Sequence, residues 1–266
     1  MSGRIAYFDC FSGVSGDMLL GALLDAGLGL QELTADLAGL GISGYELALT
    51  RQVRQGISGS RFSVLDLGGD RPARSLQAVE KILQQSTLSQ AVVAKSLRVF
   101  RRLAEAEATV HGISVDEVHF HEVGAVDTLV DIVGFCCAAE RLGLEAFYAS
   151  PLPLGSGTVK TEHGLLPVPA PATLALLAAA KAPVIPSDAR AELVTPTGAA
   201  ILSTLASFSQ PPMTIEGVGY GFGAKELPWA NVLRVWIGEA LGAQAVPHAL
   251  DHEHLHEHPP EDVPAS

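Results

Sequence analysis

Apolar and polar positions fall in short blocks along this chain, and the period of each block predicts its element. Arg4 to Cys10 (RIAYFDC) is a short β-prone run, which predicts a buried strand. A small-residue turn, Phe11 to Gly16, leads into Asp17–Asp25, a helix ending at Gly27, with Ser15 placed as its N-cap. A second helix is expected over Leu30–Leu40, stopping at Gly41. Tyr45–Arg51 and Arg61–Leu67 alternate with period two and predict antiparallel strands joined across Gly56–Ser60. Ser75–Gln84 and Ser89–Val110 read as helices, the second with a stripe of Val92, Val93, Leu97, Phe100, Leu103 and Ala104. Val115–Val123 is expected to be extended, Asp127–Leu142 helical up to Gly143, and Ala146–Ser150 a strand. Pro151–Pro171 reads as a long Pro/Gly loop, followed by helices over Ala172–Ala180 and, behind Pro196, Thr197–Ser207. Met213–Tyr220 and Asn231–Ile237 predict a closing strand pair. The pattern decays from Glu239, and disorder is expected from Val246 onward.

This order predicts a mixed α/β (α+β) fold, with strands and helices alternating irregularly around one core and no internal repeat. The expected organisation is one domain over 1–238, divisible into 1–115 and 116–238, and a flexible acidic His-rich tail over 239–266. The composition supports a packed core: 48% of the 266 residues are hydrophobic and 17% charged. A net charge of −12 argues against a nucleic-acid partner, because phosphates must be met by clustered Lys and Arg. That charge is unevenly placed. From Glu239 to Ser266 there are six acids, five His and no Lys or Arg, and the preceding residues carry only the other half of the net charge.

The N-terminal segment lacks the basic and apolar regions of a leader peptide. The longest uncharged run, Leu193–Ile215, contains Pro196, Pro211 and Pro212, which excludes it as a membrane span. Cys10, Cys136 and Cys137 give an odd count with no CxxC pair, so neither a disulfide framework nor a thiolate zinc site is indicated. The plain reading is a reduced, cytoplasmic protein.

Five constellations carry candidate chemistry. The turn Asp9-Cys-Phe-Ser-Gly-Val-Ser-Gly-Asp17 lacks both a Walker A Lys and a GxGxxG fingerprint. Ser12, Gly13, Ser15 and Gly16 are nonetheless candidates for holding an anion on backbone N–H groups, with Asp9 and Asp17 as flanking carboxylates. A tight strand-to-helix connection explains the same residues. In His119-Phe-His-Glu-Val-Gly-Ala-Val-Asp127, His119 and His121 would share a strand face, and Glu122, Asp127 and Asp131 add carboxylates for a divalent metal. Asp127 and Asp131 would share a helix face and repel unless a cation lies between them. Gly155, Ser156 and Gly157 with Lys160 and His163 lie in the Pro/Gly loop, where a phosphate or carboxylate would suit Lys160, one of five lysines. Thr195 and Thr197 flank Pro196 at a helix start and serve equally as caps or anion ligands. In the tail, His248, His252, His254, His256 and His258 alternate with Asp251, Glu253 and Glu257, a donor set suited to Ni, Zn, Co or Cu.

Several long stretches together resemble the LarC family of nickel insertion proteins. They are DCFSGVSGDMLLGALLDAGL, VHFHEVGAVDTLVDIVG, YASPLPLGSGTVKTEHGLLPVPAPATLALL, ELVTPTGAAIL and VGYGFGAKELPWANVLRV, in order from about Ile5 to Val235. The resemblance implies insertion of nickel into pyridinium-3,5-bisthiocarboxylic acid mononucleotide, with sulfur–nickel and carbon–nickel bonds formed. It implies CTP with Mn or Mg as co-reactants, and a product that serves lactate racemase. A His-rich segment after the first domain is also a family feature, matched here by His248–His258. Family members continue into a second domain that carries CTP. The chain is therefore expected to act as the first domain, with a second LarC domain or chain as partner and a homo-oligomer left open. Two other readings remain: a nickel-storage or metallochaperone module without catalysis, and a different metal- and nucleotide-dependent enzyme on the same scaffold.

Overall fold

The computed structural model describes residues 3–68, 74–120, 126–161 and 163–241. Along the chain these residues form β1 (Arg4–Asp9), α1 (Gly16–Asp25), α2 (Leu30–Ala38), β2 (Tyr45–Arg54), β3 (Ile57–Asp66), β4 (Arg74–Ser75), α3 (Leu76–Gln85) and α4 (Gln90–His111). There follow β5 (His119–Phe120), α5 (Val126–Arg141), β6 (Leu144–Ala149), β7 (Leu152–Leu154), β8 (Thr158–Thr161), β9 (Gly164–Pro167) and α6 (Pro171–Ala179). The last elements are β10 (Val184–Pro186), α7 (Pro196–Leu205), β11 (Ala206–Ser207), β12 (Gly217–Phe222) and β13 (Val232–Glu239). The mixed α/β expectation holds.

Seven strands form the main sheet, in the order β11-β6-β1-β13-β12-β3-β2. β1 pairs antiparallel with β13 and parallel with β6, so the sheet is mixed. Residues 1–115 and residues 116–238 both supply strands to it. The junction of β3 and β12 rests on the single pair Ser60 and Gly221. Asp25, at the end of α1, reinforces that junction. Its carboxylate accepts from Ser60 Oγ at 2.8 Å, from the Tyr220 N–H at 3.0 Å and from Arg51 at 2.6 Å.

α5 is the central helix. Leu129, Val130, Ile132, Val133 and Phe135 are all buried, so apolar side chains surround most of its axis. A helix apolar on nearly all sides must be covered on all sides. α1, α2, α4 and α7 pack around it, together with β3 and β6. Each such Leu, Val, Ile or Phe contributes about 1.5–3 kcal/mol when fully buried. Its polar end is the N-terminus, where Asp127 and Asp131 sit.

Three expectations change. The loop expected over Gly56–Ser60 is strand: Gln55 and Gly56 turn the chain with φ of 48° and 81°. Two residues with positive φ make a tight hairpin connection whose twist suits the flanking strands. The Pro151–Pro171 segment is not one loop but holds β7 and the β8–β9 hairpin, because Thr158–Thr161 pairs with Gly164–Pro167. The segment expected to be extended from Val115 begins as a 3-10 turn at Val115–Glu117, where Ser114 and Glu117 cap each other. It is extended only at His119–Phe120 among the described residues. No described helix is long and apolar enough to cross a membrane.

Candidate functional site

Two clefts lie on either side of the segment Glu192–Thr197. Pro196 and Glu192 line the first, whereas Thr195 and Thr197 line the second.

The first cleft, of about 420 Å³, gathers His111, His119, His163 and Lys160. His111 stands in the last turn of α4, and its ring lies 4.8 Å from that of His163. His163 follows β8 on the hairpin that also carries Lys160. Its backbone N–H donates to Thr161 Oγ1 at 3.1 Å, which holds the turn. His119 belongs to β5, pinned opposite Ser75, the residue whose hydroxyl caps α3. His111, His119, His163 and Lys160 are all exposed, so a ligand reaches them from solvent. Phe120, Ala170 and Ala172 give the cleft a buried apolar floor. Glu107 contacts His111 at 3.5 Å, and Lys225 donates to the Glu192 carbonyl at 2.7 Å. The three described histidines thus line one cleft, although they come from α4, β5 and the β8–β9 hairpin.

The second cleft, of about 290 Å³, is polar and is lined by Asp17, Asp127, Asp131, Ser15, Thr195 and Thr197, among others. Two helices begin there, α1 at Gly16 and α7 at Pro196, and α5 is described from Val126 onward. Backbone pairing brings their starts together. The Val14 N–H donates to Leu193 O at 2.9 Å and the Thr195 N–H donates to Val14 O at 3.0 Å, so the first and fourth sequence constellations are zipped side by side. Asp17 accepts from the Met18 N–H at 2.9 Å and from the Ser15 hydroxyl. Asp127 likewise accepts from the Thr128 N–H at 2.7 Å. Asp131 lies behind both. Gly16 makes this possible, because any side chain there would collide with the Asp131 carboxyl. Asp131 retains some exposed surface as a residue, yet its Oδ1 is sealed from solvent and has no hydrogen-bond partner.

Burial raises the Asp131 carboxyl well above the usual range, and the neighbouring Asp17 and Asp127 charges raise it further. Burial also raises Asp17, partly offset by Ser15, Met18 and Arg61. Asp127 is raised by desolvation, against the hydrogen bond from Thr128. Their common direction means that the cluster disfavours full ionisation in the absence of a cation.

Asp9 pairs with Arg234 across β1 and β13 and faces a different cleft. Ser12 is buried and accepts from the Trp229 indole N–H at 3.0 Å. Gly13 closes the turn with its N–H on Cys10 O and packs on the Leu193 carbonyl. Ser15 is positioned at the start of α1 without capping it; its hydroxyl donates to Asp17 instead. Gly155 packs on Ala191, Ser156 bonds Ala189 O, and Gly157 O accepts from Val168. Those turns spend backbone groups on the protein itself. His119 and the pair Asp127 and Asp131 fall in different clefts. His121, Glu122 and the tail ligands His248, His252, His254, His256 and His258 lie outside the described residues. Among the described residues, no three His, Cys, Asp or Glu side chains stand close enough to hold a metal ion by themselves. His111 and Glu107 in the first cleft and Ser63 in the second were not singled out from the sequence; His111 looked like an ordinary helix-terminal residue.

A family profile described as nickel insertion protein matches residues 6–259. The chain belongs to the nickel insertion protein family. A Thermomicrobium roseum protein named as a candidate nickel insertion protein is 54% identical over 253 residues, covering 95% of this chain and 61% of its own. A Roseiflexus castenholzii protein of the same name is 52% identical, covering 89% of this chain and 60% of its own. The pyridinium-3,5-bisthiocarboxylic acid mononucleotide nickel insertion protein of Desulfitobacterium hafniense is 50% identical over 89% of this chain and 58% of its own. The chain therefore spans about three fifths of the length of these curated relatives. No solved structure matches it. Within the family region lie both clefts and all five histidines of the tail.

Proposed function

We propose that this chain carries the nickel-handling part of nickel insertion into pyridinium-3,5-bisthiocarboxylic acid mononucleotide. The observation that carries this reading is the convergence of His111, His119, His163 and Lys160 on one solvent-reached cleft. It occurs in a chain 50% identical to a protein named for that insertion. Imidazoles are borderline ligands that bind nickel firmly yet exchange. The bis-thiocarboxylate acceptor offers softer sulfur donors, so transfer from imidazole to sulfur runs toward the preferred ligand. Lys160 supplies a positive charge for the anionic groups of the mononucleotide. The tail histidines act as a loading arm, raising nickel concentration near the cleft through tethering.

CTP with Mn or Mg belongs in this reading to a second LarC domain or chain. The turns at Gly13 and Gly155–Gly157 support that placement, because their backbone groups are already bound to Cys10, Leu193 and Ala189. The reaction takes place in the cytoplasm on this reading, and its product serves lactate racemase.

Reconstitution tests the proposal. The full chain, the acceptor, nickel, CTP, Mn or Mg and the second domain are combined, and nickel-bound product is followed by mass spectrometry. His119→Ala/His163→Ala abolishes product on this reading; full product from that variant refutes it.

A further inference from the structure

Among the described helices, only α1, α5 and α7 pack on the main sheet. They cover one face of it, where Phe8, Phe62, Phe147 and Val235 lie in the core beneath them. Side chains alternate between the faces of a strand, so the intervening positions point the other way. There Tyr148, Tyr7, Trp236 and Val218 stand in register across β6, β1, β13 and β12. Tyr220 extends this face along β12. We infer that this aromatic sheet face is the contact surface for a second copy of the chain, packed sheet to sheet as a homodimer.

Three observations converge. The first is composition. Three of the four Tyr and one of the two Trp in the chain lie on this face, away from the helices. Tyr, Trp and Arg dominate the energetics of protein contacts, whereas Lys and Glu are depleted from them. The rings are already held in place: Tyr7 and Trp236 lie 4.9 Å apart, and the Arg234 guanidinium lies 5.9 Å from the Trp236 ring. Trp236, Tyr148 and Tyr220 are half-buried and Val218 is exposed, so the row still presents apolar surface. The second observation is charge. The positions of β1, β12 and β13 that face away from the helices carry only Asp9 and Arg234, which pair with each other. A chain of net charge −12 repels its own copy except across a neutral surface of this kind.

The third observation is size. The strands from β6 to β2 in sheet order, about 4.8 Å apart and about six residues of about 3.3 Å long, present a face of roughly 600 Å². Two such faces bury roughly 1,200 Å² in all, the lower end of specific protein interfaces. At the edge, β2 turns Thr50 and Gln52 toward the same side, because Leu47 and Leu49 pack on the core. The face therefore has an apolar centre and a polar rim, the anatomy of a protein contact. Two twisted sheets pack face to face about 10 Å apart, and a two-fold axis between them sets the aromatic row on its own copy.

The test is analytical ultracentrifugation of the full chain from about 1 to about 200 μM, in EDTA so that no metal bridges two tails. A concentration-dependent dimer is expected, with a dissociation constant on the order of 10 μM. Val218→Glu sets like charges against each other and raises that constant by about tenfold or more. Trp236→Ala has the same expected effect. Val218 is 38% exposed, so its variant keeps the test valid if Trp236→Ala does not fold. Leu165→Glu, more exposed but on the β8–β9 hairpin, leaves the dimer unchanged. In hydroxyl-radical footprinting, oxidation of Trp236 and Tyr148 falls as the dimer forms. A monomer throughout the range, or a dimer of equal strength in the parent, Val218→Glu and Trp236→Ala, would overturn the inference. Protection of Trp236 that appears only when the second LarC domain is added gives the face to that domain, and overturns it too. None of these outcomes touches nickel insertion, which the reconstitution above reads separately.

Discussion

The Asp131 carboxyl fills the space that a side chain on Gly16 would need, so the first residue of α1 and the second turn of α5 share one space. A methyl group at position 16 would overlap the carboxylate. Gly16→Ala is therefore expected to destabilise the chain by about 1–3 kcal/mol, although Ala is the better helix former. Urea denaturation measures the loss. In an Asp131→Ala background the same substitution should cost less, and equal costs in both backgrounds would show that the two residues do not compete.

Asp25 makes a second prediction. Its side chain is only 5% exposed and accepts from β2, β3 and β12 together. Asp25→Ala leaves the Ser60 hydroxyl and the Tyr220 N–H without their partner at the weakest join of the sheet. The expected loss is about 3 kcal/mol. Arg51 contributes little of it, because its side chain is 65% exposed. Hydrogen exchange should show the Tyr220 amide opening far faster in the variant; unchanged protection would contradict this account.

The cysteines predict a pH dependence. Burial pushes the Cys136 thiol up to about 11 and Cys137 to about 12, and pushes Cys10 up as well. The folded state then holds protons that the unfolded chain releases near pH 9. Stability is fully present below that pH and falls as pH rises through the interval above it. Cys136→Ala should flatten the alkaline decline. At pH 8 in the native state, none of the three thiols should react promptly with a disulfide reagent, and all three should react in guanidinium.

His111 gives a direct check on the histidine cleft. With the tail histidines replaced by Ala, His111→Ala should weaken core nickel binding by about tenfold or more in calorimetry. His111 closes the cleft from α4, 4.8 Å from the ring of His163. Nickel affinity equal to that of the parent would remove His111 from the site.

Much of this architecture was legible in the residue pattern because its signals are local. The α5 boundaries follow from its apolar run, and Ser75, Ser89 and Thr195 cap the helices expected behind them. The β8–β9 hairpin was missed because prolines and glycines mask its alternation, and pairing rather than propensity forms it. The candidate site was legible in pieces only. Asp17, Asp131 and Thr195 belonged to three separate constellations, and their meeting depends on contacts between Val14 and Leu193, far apart in sequence. His119 and Asp127 are neighbours in sequence but line different clefts, a separation that spacing alone could not convey. His111 carried no sequence signal beyond its place at a helix end.

The segment Glu192–Thr197 is a common wall, with Pro196 facing imidazoles and Thr195 and Thr197 facing carboxylates. A wall shared by two clefts couples them only through its own movement. If filling the carboxylate side shifts Thr195 and thereby changes nickel affinity on the other side, nickel must change the affinity of the carboxylate side by the same factor. Loading order would then be written into six residues of backbone, and a single substitution at Pro196 would disturb both clefts at once.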